Sequence, residues 1–213
     1  MALIMYLNRA PKYDGVSEKD IRLMNSYFEW KRESEIGSRY ACETFEKWNG
    51  HSEKELPNKD VINYYKQFFT KKPIYNEGFG ERVGYTLFEH LGRFAKMNQI
   101  FQWFINNVMN GSPSKEMHEV SEQQLKNLLE ACKKVQFGFE FVEKNERGMD
   151  IYSVNESIAK ELLPVMENTG FFFGVSEYNE FYAYQINKAI DIIENVLKTT
   201  DFKKQSIYFN AIW

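Results

Sequence analysis

The chain is poor in the residues that build cross-links and metal sites: two cysteines, Cys42 and Cys132, and three histidines, His51, His90 and His118, in 213 residues. Two thiols cannot make a disulfide framework, and Cys132 fits an apolar helical face as a reduced core thiol. The histidines lie far apart, and neither Cys-x-x-Cys nor His-Glu-x-x-His occurs, so no zinc site is assigned. A phosphate loop of the Walker type is missing, as is Gly-x-Ser-x-Gly. The glycines of Gly78-Phe79-Gly80-Glu81-Arg82-Val83-Gly84 are spaced 2 and 4 apart. A dinucleotide fingerprint needs 2 and 3, so this segment reads as a loop or hairpin. No catalytic residue, metal or cofactor is assigned, and the expectation is binding rather than catalysis.

Long apolar runs are absent too. No stretch approaches the roughly 18 apolar residues of a membrane span. The opening Ala2-Leu3-Ile4-Met5-Tyr6-Leu7-Asn8-Arg9 lacks a basic leading region and is no signal peptide, so the expected location is the cytosol, with no membrane partner. A net charge of −3 and a pI near 5.8 exclude the basic footprint of a duplex nucleic-acid binder. A small anionic ligand held by local cations remains compatible with that balance.

Aromatic residues are plentiful: Phe 18, Tyr 13 and Trp 4. Such side chains build cores and also stack flat ligands. The pattern predicts one α+β domain over residues 1–213, mainly helical, with a small mixed or antiparallel sheet including both chain termini. Leu3 to Arg9 reads as a buried strand, broken by Pro11 and Asp14-Gly15. Ser17 caps a helix to about Lys31, and Asp60 to Phe69 predicts another, ended by Lys72-Pro73. Between Gly84 and Asn110, the spacing of Phe94, Met97, Phe101, Phe104 and Val108 predicts a central helix. Ser121 opens a capping box before Leu125, Leu128, Leu129, Cys132 and Val135. Phe137, Phe139 and Phe141 alternate as in a strand, with a hairpin loop from Glu143 to Asp150 and a return strand from Ile151 to Val154. A short helix from Glu156 to Leu163 precedes a glycine-bounded strand, Gly170 to Gly174. Tyr182, Ile186, Ala189, Ile190, Ile193 and Leu197 mark the last helix, and Ser206 to Trp213 a final strand.

Two constellations point to a ligand. On the predicted central helix, Trp103 falls outside the apolar stripe, beside Lys96 and Gln99, with Arg93 and Asn107 flanking. An indole stacks on a ring while cations meet phosphate and amides read polar edges. The alternative is a helix packed on two sides, with Trp103 in a second core layer. At the start of the last helix, Ser176, Tyr178, Phe181, Tyr182 and Tyr184 gather where backbone N–H groups favour an anion. An aromatic lid over the core is the alternative there.

These residues also carry a resemblance. Met1, Leu3, Met5, Tyr6, Leu7 and Arg9 match a group of small tailed-phage proteins that open Met-Gly-Leu-Asp-Met-Tyr-Leu-Tyr-Arg. Gly92, Lys96, Asn98, Ile100, Trp103 and Phe104 match its central Gly-Tyr-Trp-Arg-Lys-x-Asn-x-Ile-x-x-Trp-Phe. Leu162-Leu163-Pro164, Gly170-Phe171-Phe172-Phe173-Gly174, Tyr178, Tyr182 and Trp213 match later blocks. The chain departs from the group at Ala2, Ile4 and Ala95, where Gly, Asp and Arg are usual, and residues 33–79 are unassigned. The resemblance implies a phage counter-defence protein of the host cytosol. By analogy with sponges that counter cyclic-oligonucleotide (CBASS) defence, it would sequester a cyclic dinucleotide or related nucleotide signal without cleaving it. The expected site is Trp103, Tyr178 and Tyr182 for stacking, Lys96 and Arg93 for phosphate, Gln99 and Asn98 for polar readout, Ser176 at the helix start, and Arg9. Asn98 is included on the resemblance alone. A protein–protein inhibitor of a host effector, or a nucleotide-hydrolysing enzyme with a site built from distant residues, are the competing classes.

Overall fold

The computed structural model describes residues 2–38, 40, 42–76, 80–146, 148, 150–167, 170 and 172–213, with backbone alone at 74–76 and 80–82. Residue 77 and the first two residues of the glycine-spaced segment, 78 and 79, lie outside the described residues, as do Met1, Phe171 and residues 147 and 149 of the hairpin loop. In chain order the elements are β1 (Ile4–Pro11), α1 (Glu18–Glu35), α2 (Phe45–Asn49), α3 (Lys59–Lys66), β2 (Thr70–Asn76), β3 (Gly80–Thr86), β4 (Glu89–Ala95), α4 (Asn98–Asn107), β5 (His118–Val120), α5 (Glu122–Phe137), β6 (Phe139–Lys144), β7 (Asp150–Val154), α6 (Glu156–Leu162), α7 (Glu180–Thr199) and β8 (Gln205–Ile212). Among the described residues no helix is long and apolar enough to cross a membrane.

The mainly helical reading with one small sheet is corrected. Helices take 44% and strands 23%, the strands forming a four-stranded antiparallel sheet in the order β4-β1-β8-β5 and two hairpins, β2-β3 and β6-β7. The stretch from Gly84 to Asn110 accounts for most of the difference. It holds the end of β3, all of β4 and then α4, so Phe94 lies on a strand while Phe101 and Phe104 lie on a helix. All three are buried in the same core, which is why their spacing mimics one helix. Within the predicted strand at Gly170 to Gly174, Phe172 and Phe173 form a turn instead, and the Phe173 N–H donates to the Gly170 carbonyl at 2.9 Å. The Lys72-Pro73 pair falls inside β2, opposite Gly84 and Val83 of β3, and a two-stranded ribbon tolerates proline because one strand face has no ladder partner.

The chain forms two compact units. One comprises Met1–Leu7, Leu91–Phe202 and Ile207–Trp213; the other, Asn8–His90 and Lys203–Ser206. In the first, α5 starts at a capping box between Ser121 and Gln124 and buries Leu125, Leu128, Cys132 and Val135. Burial pushes the Cys132 thiol up to about 12, so it behaves as a small hydrophobe. Helix α7 buries Tyr182, Ile186, Ala189, Ile190, Ile193 and Val196, and packs on α5 and β7. Phe104 of α4 stacks on Phe209 of β8, with ring centroids 3.8 Å apart. In the second unit α1, capped by Ser17 and Asp20, buries Ile21, Met24, Tyr27 and Phe28. Tyr27 meets Phe45 of α2 edge-on at 5.3 Å. Tyr65 of α3 is fully buried, and its hydroxyl donates to the Pro11 carbonyl at 3.0 Å.

Gly92 sets how closely α7 approaches β4. A Cβ at this position would stand 2.4 Å from Cγ2 of Ile192. Gly92→Ala therefore overpacks the helix–sheet contact and is expected to cost about 1–3 kcal/mol, read as a lower Tm. The double variant with Ile192→Ala recovers part of that loss, because the second truncation removes the obstructing methyl.

Candidate functional site

The structure separates the residues expected to line a ligand site. Arg93 lies on β4, half-buried, on the opposite strand face from Phe94. Lys96 sits in the joint before α4 with a positive φ of 56°. Neither lies on α4 with Trp103, so the three do not share the one helix face on which they were expected. Trp103 itself is half-buried, packs against the hydrophobic core and meets Phe104 edge-on at 5.4 Å. Asn107 donates to the Trp103 carbonyl.

Most of the remaining expected residues do converge, but on backbone rather than on a ligand. Asn98 and Gln99 are 0% exposed. The Asn98 amide donates to the Val175 carbonyl at 2.8 Å, and its oxygen accepts from the Met166 N–H at 3.1 Å. Gln99 Nε2 donates to Gln185 Oε1 at 2.9 Å, and Gln185 Nε2 donates to the Lys96 carbonyl at 2.7 Å. The Tyr182 hydroxyl donates to the Leu163 carbonyl at 2.8 Å, and burial pushes that phenol up. The Tyr178 oxygen accepts from the Val165 N–H at 3.2 Å. The N–H groups of Phe181 and Tyr182 donate to the Asn179 side chain, so α7 caps itself where an anion was expected; Ser176 is exposed nearby in sequence. Arg9 serves Glu89 in a two-point pair, with N···O distances of 3.1 and 2.9 Å. Polar readout by Asn98 and Gln99, and stacking on Tyr182, are thus corrected: all three side chains are out of solvent and tie neighbouring segments together, with Gln99 Oε1 left buried and without a partner among the described residues.

A different cavity has the composition a ligand needs. In the unit containing Asn8–His90, a cavity of about 540 Å³ is lined by Glu29, Arg32 and Glu33 of α1, Tyr40, Trp48 of α2, Phe69, Lys71 of β2, and Val83, Gly84 and Tyr85 of β3. Its volume is in the range of small-molecule sites. Helical geometry accounts for the α1 face, since residues 29, 32 and 33 are three and four apart. The Thr44 side chain caps α2 at the Lys47 N–H, and buried Phe45 seats that helix, which positions Trp48. The Arg32 guanidinium lies 4.5 Å from the Tyr85 ring centroid and the Lys71 ammonium 5.8 Å. Arg32 also donates to Glu33. Lys71 and Glu29 take part in no ion pair among the described residues, leaving the cavity with one cation and one carboxylate uncommitted to each other.

Glu29 is held from behind. Asn25 Oδ1 accepts from the Leu87 N–H at 2.7 Å and from the Thr86 hydroxyl at 3.1 Å, which fixes the orientation of that amide. Its Nδ2 therefore faces Glu29 Oε1 and donates at 3.0 Å. Desolvation raises the Glu29 carboxyl above its ordinary value; the Asn25 hydrogen bond opposes the rise and Glu33 adds to it.

Half of these residues fall in the stretch that motif reading leaves blank. The signal available there was compositional: Tyr40 and Trp48 are large aromatics in an otherwise polar, mixed-charge segment with little apolar patterning to bury them. A second cavity, about 760 Å³, lies along α5 and α6, with Leu129, Ile158, Leu162 and Phe137 on its walls. Its lysines already hold carboxylates, Lys126 with Glu122, Lys133 with Glu194 and Lys134 with Glu130. Among the described residues Phe137 is the single aromatic side chain lining it, so they offer no pair of rings to enclose a planar ligand.

The raised Glu29 carboxyl has a consequence for stability. Its ionised form is disfavoured in the fold, so its penalty is absent below the unfolded value of about 4.3 and develops as pH rises through the higher folded value. Glu29→Gln is expected to raise Tm at pH 7, with the gain shrinking on acidification and vanishing below about pH 4.3, as thermal melts across that range would show.

The chain matches no protein-family model, no curated protein and no solved structure.

Proposed function

We propose that the protein binds a nucleotide-class small molecule in the aromatic cavity of the Asn8–His90 unit and holds it without cleaving it. One observation supports the reading above the rest: Tyr40, Trp48, Phe69 and Tyr85 surround a space that also receives Arg32 and Lys71. Aromatic faces stack on a base whatever its identity, and cations beside them meet phosphate. Of the two cations, Lys71 is the one not paired with a carboxylate among the described residues, which leaves it for the ligand's anionic group. Holding rather than turnover follows the lack of a nucleophile–base motif in the sequence. The phage resemblance supplies the setting, in which the protein sequesters a nucleotide immune signal during infection.

Isothermal titration with a panel of nucleoside monophosphates, cyclic mononucleotides and cyclic dinucleotides tests this. At least one member is expected to bind and to be recovered intact after denaturation. Trp48→Ala removes a stacking surface and is expected to weaken that binding by about 5- to 150-fold, the equivalent of about 1–3 kcal/mol per stacked base. Lys71→Ala weakens the phosphorylated ligand relative to its nucleoside, while Trp103→Ala leaves affinity unchanged. Absence of binding across the panel, recovery of a cleaved product, or a loss that follows Trp103 rather than Trp48 overturns the proposal.

A further inference from the structure

Within that reading, we infer that Glu29 reads the edge of the ligand's ring and that the cavity selects a base presenting two adjacent N–H donors, as guanine does, over adenine. The inference rests on the nucleotide proposal and adds a residue and a specificity to it. An ionised carboxylate is an acceptor only, with two oxygens that receive two parallel donors. Guanine offers such a pair on its pairing edge, from the ring N–H and the exocyclic amine. Adenine places a ring acceptor beside its amine, which sets a lone pair against a carboxylate oxygen.

Three features make Glu29 the reader. It lines the cavity together with the rings that would stack the base. It is engaged by no cation among the described residues, whereas Glu33 is engaged by Arg32. And it is aimed: the chain Thr86 and Leu87 to Asn25 to Glu29 Oε1 fixes one oxygen from the protein side at 3.0 Å. Asn25 is a positioning residue, since it acts through Glu29. Burial makes the arrangement selective, because a desolvated acceptor left without a donor costs far more than one in water. An organic cation would also satisfy a lone carboxylate. Arg32 and Lys71 argue against it, for both already lie against the Tyr85 ring and would repel a third positive charge.

Competitive titration with GMP, AMP and tetramethylammonium decides among these. Wild-type protein is expected to bind GMP at least tenfold more tightly than AMP and to ignore tetramethylammonium. Glu29→Gln, whose amide brings one donor against the guanine donors, brings the GMP-to-AMP ratio close to one. Trp48→Ala weakens both nucleotides alike and keeps their ratio. The melting temperature of Glu29→Gln shows that the variant is folded, so a lost preference cannot be charged to unfolding. Equal binding of GMP and AMP by wild-type protein overturns the guanine inference and leaves the nucleotide proposal standing. Binding of neither overturns both, and displacement by tetramethylammonium replaces the nucleotide with a cationic ligand.

Discussion

The unit that contains the last helix depends on a knot of buried amides around one backbone joint. Lys96 turns the chain from β4 into α4 with φ at +56°, a conformation that a side chain other than glycine adopts at a cost. The joint is over-determined. The Lys96 N–H donates to the Leu3 carbonyl at 2.9 Å, and its own carbonyl accepts from Gln185. Next to it, Asn98 ties Met166 and Val175 of the long connection between α6 and α7 to the start of α4. Gly174 permits this closeness: its φ is 136°, and a Cβ there would stand 2.1 Å from the Lys96 carbonyl oxygen. A buried amide stripped of its partner costs about 1–3 kcal/mol, so each bond in the knot is enforced by the groups it would orphan. Tyr182 and Tyr178 complete it by pinning the carbonyl of Leu163 and the N–H of Val165. A connection without helix or strand among its described residues is thereby held by side chains of α4 and α7 and by its own Tyr178.

The same knot explains why a motif can be legible while its role is not. Lys96, Asn98, Gln99, Tyr178 and Tyr182 stand out in the sequence because polar and aromatic groups sit at positions where apolar ones would serve packing. Two physical demands produce that signature. A ligand site needs polar groups facing outward, and an irregular buried backbone needs polar groups facing inward to satisfy its N–H and C=O groups. Composition does not tell these apart, because the difference is the direction in which each amide points. Burial decides it, and Asn98 and Gln99 are wholly out of solvent.

Regular elements were legible wherever capping and period coincided. Ser17 and Ser121 both make the expected caps, and the stripes of α5 and α7 bury most of the residues that their spacing selects, with Leu129 and Leu197 only half-buried and Val196 buried in addition. The failure at β4 and α4 has a specific cause. No glycine or proline marks the strand-to-helix joint, because Lys96 makes the turn, and Phe94 and Phe101 enter one core from two different elements. The failure at Phe172-Phe173 is one of length, since two glycines bound a turn as readily as a short strand. The candidate cavity was invisible for another reason. Its walls come from α1, α2 and the β2–β3 hairpin, so that Glu29 and Tyr85, 56 positions apart, meet only after folding. No local spacing records such a meeting.

The two polar systems differ in what they leave over, and this difference carries the functional argument. Around Asn98, both ends of its amide and the Nε2 groups of Gln99 and Gln185 are turned on the protein itself, and the result is a tied joint, although Gln99 Oε1 stays buried without a partner among the described residues. Around Glu29, the protein supplies one hydrogen bond to a carboxylate that it also removes from much of its water, a net unfavourable arrangement in the ionised state. Asn25 could have been replaced by a cation, or Glu29 by a neutral amide, with a gain in stability. Instead Asn25 is itself clamped by Leu87 and Thr86, so the carboxylate is fixed rather than merely tolerated. Pre-ordering a strained acceptor beside aromatic faces makes physical sense when an incoming donor completes it, because the ligand then relieves a penalty the empty cavity already bears. A carboxylate kept only for solubility would sit fully in water, whereas Glu29 is half-buried.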